Sequence, residues 1–315
     1  DARYAMGPVF ARHLGNRMYR GEYFAMQCDA HVDFILDWDD LIIRQWKASK
    51  NEMAVLTAYL SGINGGIDEE GKLLKMSRPI MCKSDWEGRG KWQHLRHGQQ
   101  PEGEAQIKGE PTLEPYWAAG YSFSRGHFIV NVPYDQHLPW VFQGEEISIG
   151  LRGFTFGYDY YTPEHSVCFH YYASQEGPNG KRKHVKLFWE NAKNFDHQNL
   201  SEIEHRGMMR LNSILNMNPP SVKETDWLHI EEKKYGLGKV RTTQKFFDTF
   251  GIDVVGRKTE DHLCQFAGKN MQRLFKPHLR SDTMGINYDE ISFKFQDPVM
   301  HGRTWEKLLP KAQKK

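Results

Sequence analysis

The chain has 315 residues, 39% hydrophobic, 26% charged and 13% aromatic, with 42 basic against 40 acidic side chains. A chain of this length buries about 75% of its unfolded surface, so a core forms without staples, and either one large α/β domain or two smaller domains fit. A net charge of +2 excludes the basic excess of a dedicated nucleic-acid binder, and no run approaches the ~18 apolar residues of a membrane helix.

Residues 2–20 read as a helix, because Met6, Val9, Phe10, Leu14 and Met18 recur at three-to-four spacing before Gly21. Glu22 to Cys28 then reads as a buried strand ending at Asp29-Ala30-His31. Asp39 or Asp40 can cap a second helix through Leu41, Ile42, Ile43 and Trp46, and Met53 to Tyr59 reads as another strand. Helix followed by strand, twice, predicts an α/β fold in which a mixed sheet is flanked by helices. Residues 62–110 carry Gly62, Gly65, Gly66, Gly71 and a polar stretch from Gly88 to Gly109, and read as a surface insertion or mobile loop. Ile147 to Phe154 reads as a short helix, and the alternating run Ser166 to Tyr172 reads as a strand. Residues 201–216 are helical, with Ile203, Met208, Leu211 and Leu215 inward, until Asn218-Pro219-Pro220 breaks the pattern. A soft boundary there divides residues 1–218 from a mostly helical extension over 219–315, with a helix near Thr242–Phe250 and a basic tail.

Cys28, Cys82, Cys168 and Cys264 lie far apart with no C-x-x-C pair, which removes a zinc ribbon. Cys28 and Cys168 sit in apolar runs and read as buried free thiols. That pattern leans toward a cytoplasmic location, and the sequon Asn199-Leu200-Ser201 leans toward the secretory pathway. The sequence opens at Asp1, with neither an initiator Met nor a signal peptide, and reads as the interior of a longer protein.

Two short motifs carry chemistry. In an extended strand, residues i and i+2 point to the same face, so Asp29 and His31 are expected to reach one ion at a strand's carboxyl end, where open α/β sheets bind ligands. A carboxylate oxygen with an imidazole nitrogen suits Mn²⁺ or a similar divalent ion. The plain alternative is a strand-end Asp beside a partly buried His. Gly144-Glu145-Glu146 is the second motif, since adjacent carboxylates repel unless one meets a cation, a donor or water. Its plain alternative is an acidic helix start.

Several blocks in the right order resemble a nucleotide-sugar glycosyltransferase of the GT-A fold. They are Ala5-Met6-Gly7-Pro8 with Ala11-Arg12, the block Glu22 to Trp38, Val132-Pro133-Tyr134-Asp135, Leu138 to Glu146 and Gly157 to Pro163, with a fainter Tyr235-Gly236-Leu237-Gly238 and Arg241. The likeness covers roughly residues 1–172. It points to the GlcNAc-transferase family that modifies hydroxyproline on an adaptor subunit of a cullin–RING ubiquitin ligase. More remotely, the chain is similar to mucin-type polypeptide transferases with an Asp-x-His motif.

The resemblance implies UDP-GlcNAc as donor, a polypeptide hydroxyl (hydroxyproline, Ser or Thr) as acceptor, and retention at the anomeric carbon. It implies that Asp29 and His31 hold Mn²⁺ or Mg²⁺ against the diphosphate, with Ala30, Trp140 and Gly144 also lining the donor site. A third ligand comes from a later His, His170 ahead of His165. Glu145 and Glu146 share donor-sugar or acceptor contact and its support, with either order open. Only about 28 residues precede Asp29, fewer than the βαβ units that form the uridine pocket in GT-A enzymes, so the region is expected to be incomplete at its N-terminal side. The other reading is a relative that binds a peptide or glycan without turnover. A metal-dependent hydrolase on another fold lacks support, since there is no H-E-x-x-H.

Lesser candidates are Trp117, Trp140 and Tyr158 as sugar-stacking rings, with core packing as the commoner role. Gly236-Leu237-Gly238 with Lys239 and Arg241 reads as a plain turn or as a loop closing on the diphosphate. Lys181-Arg182-Lys183-His184 reads as a solvated loop tip. Asp135 and Asp159 lie near aromatics, and Asp159 is a weak candidate for an acceptor hydroxyl.

Overall fold

A computed structural model describes residues 2–97, 100–172, 187–195, 200–260 and 263–291. Asn199, the Lys181–His184 run and the basic tail beyond residue 291 lie outside the described residues. The first half runs α1 (Pro8–Asn16), β1 (Phe24–Cys28), β2 (Val32–Phe34), α2 (Trp38–Ala48), β3 (Ala54–Thr57), β4 (Arg78–Pro79), β5 (Ser84–Glu87), β6 (His94–His97), β7 (Glu102–Gly103), β8 (Thr112–Glu114) and β9 (Tyr121–Arg125). The second half runs α3 (His127–Asn131), α4 (Glu145–Thr155), β10 (Asp159–Thr162), β11 (Cys168–His170), α5 (Leu200–Ile214), α6 (Glu232–Tyr235), α7 (Thr243–Phe250), β12 (Ile252–Asp253), β13 (Lys258–Thr259), α8 (Leu263–Phe266) and α9 (Lys269–Phe275).

The core of the molecule is a five-stranded mixed sheet in the order β1-β9-β3-β10-β8. Strands β3 and β10 are parallel, and the other three pairs are antiparallel. Every residue of β3, Ala54–Thr57, is buried, as expected of a central strand covered on both faces. Helix α2 lies against β3 through Ile42 and Trp46, whose indole donates to Ala54 O at 2.9 Å. Helix α4 packs on α7, with Phe154 edge-on to Phe246 at 5.1 Å. The apolar core is continuous from Val9 through Val55 and Phe154 to Phe250 and Phe275.

The boundaries differ from the sequence reading in ways that have local causes. The first helix begins only at Pro8, because Gly7 stands at φ +106° just before it and Pro is preorganised for a first helical turn. It ends at Asn16, leaving Leu14 and Met18 exposed, while Val9 and His13 face the core. Asp39 and Asp40 lie inside the first turn of α2 rather than at its cap, where Asp37 sits in the left-handed region. There the two carboxylates favour the helix through its dipole.

Residues 62–110 are not a surface insertion. They contribute buried Arg78, Met81, Cys82, Leu95 and His97. Arg78 donates to Pro163 O at 2.9 Å, Gly103 O at 3.0 Å and Thr112 Oγ1 at 2.6 Å, so its charge enters the interior with a partner on each guanidinium nitrogen. Cys82 forms a disulfide with Cys264, 182 residues later. Cys28 and Cys168 are free thiols, as expected; Cys168 is buried and Cys28 half-buried.

Candidate functional site

The Asp29-Ala30-His31 segment is a bend between two strands, not extended strand. The same-face argument for Asp29 and His31 therefore does not apply; sheet pairing brings the histidines together instead. Strand β2 pairs antiparallel with β11, with Val32 opposite His170. That register sets the His31 and His170 rings 5.9 Å apart between centroids. His170 Nε2 lies 3.4 Å from Asp29 Oδ2. His170 Nδ1 is buried with no hydrogen-bond partner among the described residues. His165, the alternative third ligand, is placed elsewhere, against Gln45 of α2, whose amide donates to His165 O at 3.2 Å.

Arg12 of α1 reaches this bend. Its Nη2 donates to Asp29 Oδ1 at 2.9 Å, and its Nη1 donates to Glu145 Oε1. One guanidinium therefore joins the bend to the N-terminus of α4, using its planar fork as Arg does with paired carboxylates. Gly144 precedes α4 at φ +103°, a conformation suited to glycine. Glu145 is 4% exposed, and burial pushes its carboxyl up to about 7 against the opposing pull of Arg12. For Arg12 burial acts downward, yet Glu145, Tyr134 and Asp29 together hold it above its ordinary value. The His170 hydrogen bond, helped by the charge of Arg12, holds Asp29 below the usual carboxylate range despite partial burial.

Glu146 turns the other way. It accepts from the Tyr59 hydroxyl and from Ala119 N at 2.9 Å, and burial raises its carboxyl. Both glutamates thus begin a helix, as the plain alternative had it, and both also have specific partners. Tyr134 donates to Gln27 Oε1 at 2.9 Å and Gln27 Nε2 donates to Ala119 O at 2.7 Å, which fixes the floor between β1 and α4. Asp29 N donates to Gly120 O at 2.9 Å, and a Cβ on Gly120 would stand 3.3 Å from Asp29 Oδ2. The small residue at 120 keeps that oxygen approachable.

Arg12 joins Asp29 to Glu145, Asp29 also meets His170, and His31 lies beside His170, with Glu146 following Glu145 in α4. Among the described residues, no three His, Cys, Asp or Glu side chains are placed so that they could hold a metal ion together. Trp140 packs against Phe195 at 5.0 Å and Phe188 at 5.9 Å, and its N donates to Met6 O, so the indole joins an aromatic cluster rather than this group. Trp117 and Tyr158 are buried; the indole of Trp117 donates to Ser122 Oγ at 3.0 Å, and the Tyr158 hydroxyl lies 2.6 Å from His127 Nδ1.

Asp159 is not positioned for an acceptor. It is buried against Arg241 at 2.8 Å and accepts from Asn51 at 2.7 Å and Ile286 N at 2.8 Å. Arg241 is thereby excluded from a phosphate-binding loop. Gly238 donates to Thr155 Oγ1 at 2.8 Å, and a Cβ there would meet Thr155 O at 2.5 Å, so the Gly-x-Gly is a tightly packed turn. Asp135 is likewise paired inside the protein, with Arg210 at 2.7 Å. Sequence reasoning missed Arg12, Tyr59, Tyr134 and Gln27 as parts of the site. Arg12, Gln27 and Tyr134 stood within the blocks that carried the family resemblance.

The sequence model of the family described as Glycosyltransferase (GlcNAc) matches residues 1–256. None of the curated proteins matches the chain. Among solved structures, the crystal structure of GalNAc-T7 with UDP, GalNAc and Mn²⁺ is similar at 17% identity and a TM-score of 0.42, over 66% of this chain and 36% of that one. The chain spans little more than a third of that protein's length. With four-fifths of its residues inside the family match, the chain belongs to the GlcNAc glycosyltransferase family.

Proposed function

We propose that this chain carries the transfer site of a GT-A glycosyltransferase that moves GlcNAc from UDP-GlcNAc to a polypeptide hydroxyl with retention at the anomeric carbon. The observation that carries the reading is the meeting of Asp29, His31 and His170 at the end of β1, tied through Arg12 to Glu145. The donor chemistry of one carboxylate and two imidazoles suits a divalent cation, and as placed the side chains would have to turn toward one another to share it. Asp29 is ionised and half-exposed, an imidazole nitrogen lies 3.4 Å from its oxygen, and Gly120 leaves that oxygen open. Asp29, His170 and His31 would hold Mn²⁺ or Mg²⁺, which supplies positive charge where negative charge develops on the departing diphosphate.

The chain's own residues do the rest. Arg12 keeps Asp29 charged and oriented. Glu145, buried and paired with Arg12, orients donor sugar or acceptor; no deprotonation by it is needed where the leaving phosphate takes the acceptor proton. Glu146 braces the wall through Tyr59 and Ala119.

The acceptor follows from compartment. Cytosolic thiol pools keep cysteines reduced, and disulfides persist in oxidising compartments. The Cys82–Cys264 bond therefore favours Ser or Thr of a protein in the secretory lumen over hydroxyproline on a cytoplasmic ubiquitin-ligase adaptor. This departs from the cytoplasmic expectation, which rested on Cys28 and Cys168 as free thiols.

The test is Mn²⁺ binding by electron paramagnetic resonance, followed by calorimetric titration of UDP-GlcNAc with Mn²⁺ and again with EDTA. Asp29→Asn, His31→Ala and His170→Ala should each weaken Mn²⁺ binding at least about tenfold while circular dichroism is unchanged. Near-normal Mn²⁺ binding in all three would overturn the metal assignment. Metal-independent silence toward UDP-GlcNAc would favour the non-catalytic binder.

A further inference from the structure

A second surface, built on α5 and unrelated to the Asp29 group, has the composition of a ligand site. Trp92 and His205 stack there with ring centroids 3.8 Å apart and planes 6° from parallel. Trp92 keeps 38% of its surface exposed. Both rings line a groove of about 510 Å³, with Met209 on its floor and Ser201, Arg206 and Asp226 around it. That volume lies within the range of about 300–1,000 Å³ for small-molecule sites.

The walls are tied down. Lys91 donates to Asp226 Oδ2 at 2.7 Å, joining the 90–92 turn to the 224–226 turn, and Asn212 Nδ2 donates to Gln93 O at 2.8 Å, joining α5 to the same segment. A further groove of about 310 Å³ adjoins across that 224–226 turn. It is lined by Trp227, whose ring lies 3.8 Å from that of His229 with the planes tilted by 34°, and by Asn216 and Asn218.

Two indoles, one stacked on an imidazole and one tilted against another, in surroundings of amide, hydroxyl and paired charge, select a particular chemistry. An indole face takes the apolar C–H face of a pyranose ring and leaves its equatorial hydroxyls to polar neighbours. Arg206 and Lys91 are balanced by Glu202 and Asp226, so the surface lacks the single-signed field that a phosphate or nucleic acid requires. We infer that the Trp92 and Trp227 grooves form one accessory binding site for a neutral oligosaccharide, which holds a glycosylated substrate or product apart from the transfer site.

The experiment titrates chitotriose, the β1,4-linked trimer of GlcNAc, into the full chain without metal. Binding is followed by tryptophan fluorescence and by saturation-transfer NMR. Saturable binding is expected that Trp92→Ala weakens at least about tenfold, that Trp227→Ala weakens less, and that saturating UDP with Mn²⁺ leaves unchanged. Trp92→Phe, which keeps an aromatic face, should retain most of the affinity and controls for folding. The inference is overturned by absence of saturable binding, by wild-type affinity in both Trp92→Ala and Trp227→Ala, or by displacement with UDP and Mn²⁺, which would place the sugar in the Asp29 site. The UDP–Mn²⁺ arm also separates failure here from failure of the transfer reading, because each site reports independently.

Discussion

The guanidinium of Arg12 and the carboxylate of Asp29 are joined by a 2.9 Å hydrogen bond across 17 residues of chain, which pins α1 to the end of β1. The same guanidinium holds Glu145, 133 residues away. Removing it leaves one buried and one half-exposed carboxylate facing each other. Breaking a buried pair from one side costs about 3–5 kcal/mol, less here because Asp29 remains partly solvated. Arg12→Met is therefore expected to lose about 2–3 kcal/mol in urea unfolding at pH 8. Adding Glu145→Gln should restore part of that loss, giving a coupling of at least about 1 kcal/mol in a double-mutant cycle. Strict additivity would mean that the two groups do not interact.

Glu145 and Glu146 are neighbours in sequence but face different partners, and their variants should separate accordingly. Glu145→Gln is expected to lower kcat at least about a hundredfold with UDP affinity changed less than about threefold. Equal losses in both would move Glu145 into the donor pocket. Glu146→Gln weakens the bonds from Tyr59 and Ala119 and should cost about 1–2 kcal/mol of stability, read as a lower urea midpoint.

His97 gives the protein a defined acid sensitivity. It is buried edge-on to Tyr116 at 4.5 Å, neither ring nitrogen has a hydrogen-bond partner among the described residues, and burial lowers its pKa to about 3. A free imidazole titrates near 6.5. Between these values the unfolded chain binds the proton and the folded chain does not, so stability rises with pH across that window. It is fully present above about pH 6.5 and is lost as pH falls toward 3. Lowering the pH from 7.5 to 5.5 should destabilise the protein by about 1.4 kcal/mol more than it destabilises His97→Leu. An identical pH dependence in the two proteins would show that His97 is solvated.

The disulfide closes a loop of 182 residues. On the chain-entropy account a loop of that size is worth about 5 kcal/mol, an upper figure because real denatured chains retain structure. Cys264→Ser should lower the melting temperature clearly, and a dithiol reductant should lower the wild type to the same point and leave the variant where it is. A reductant that shifts neither protein would show that the two sulfurs are unbonded in solution.

Local patterns in the sequence carried the elements whose causes are local. The three-to-four spacing of Met208, Leu211 and Leu215 appears as the buried face of α5 and of the turn that ends it, and Thr242 caps α7 by accepting from Lys245 N at 3.1 Å. His170 was legible as a partner of Asp29 through family resemblance, and the β2–β11 register supplies the physical reason. What was not legible depends on contacts between distant segments. Arg12 looks like any helix cation until α4 arrives opposite it. Cys82 looks like a loop thiol until Cys264 reaches it. The glycines of residues 62–110 suggested solvent exposure, but the internal hydrogen bonds of Arg78 decide the burial of that segment. Asp159 and Arg241 each looked available in isolation and form an ion pair inside the fold.

The Cys82–Cys264 bond also changes the covalent topology of the molecule. Any single peptide cut between those two positions opens the ring without releasing either end. The nicked protein would run as one species on a non-reducing gel and as two after reduction. A cut on either outer side of the ring sheds a free fragment under both conditions. Limited proteolysis compared on the two gels therefore sorts each accessible site as inside or outside the ring.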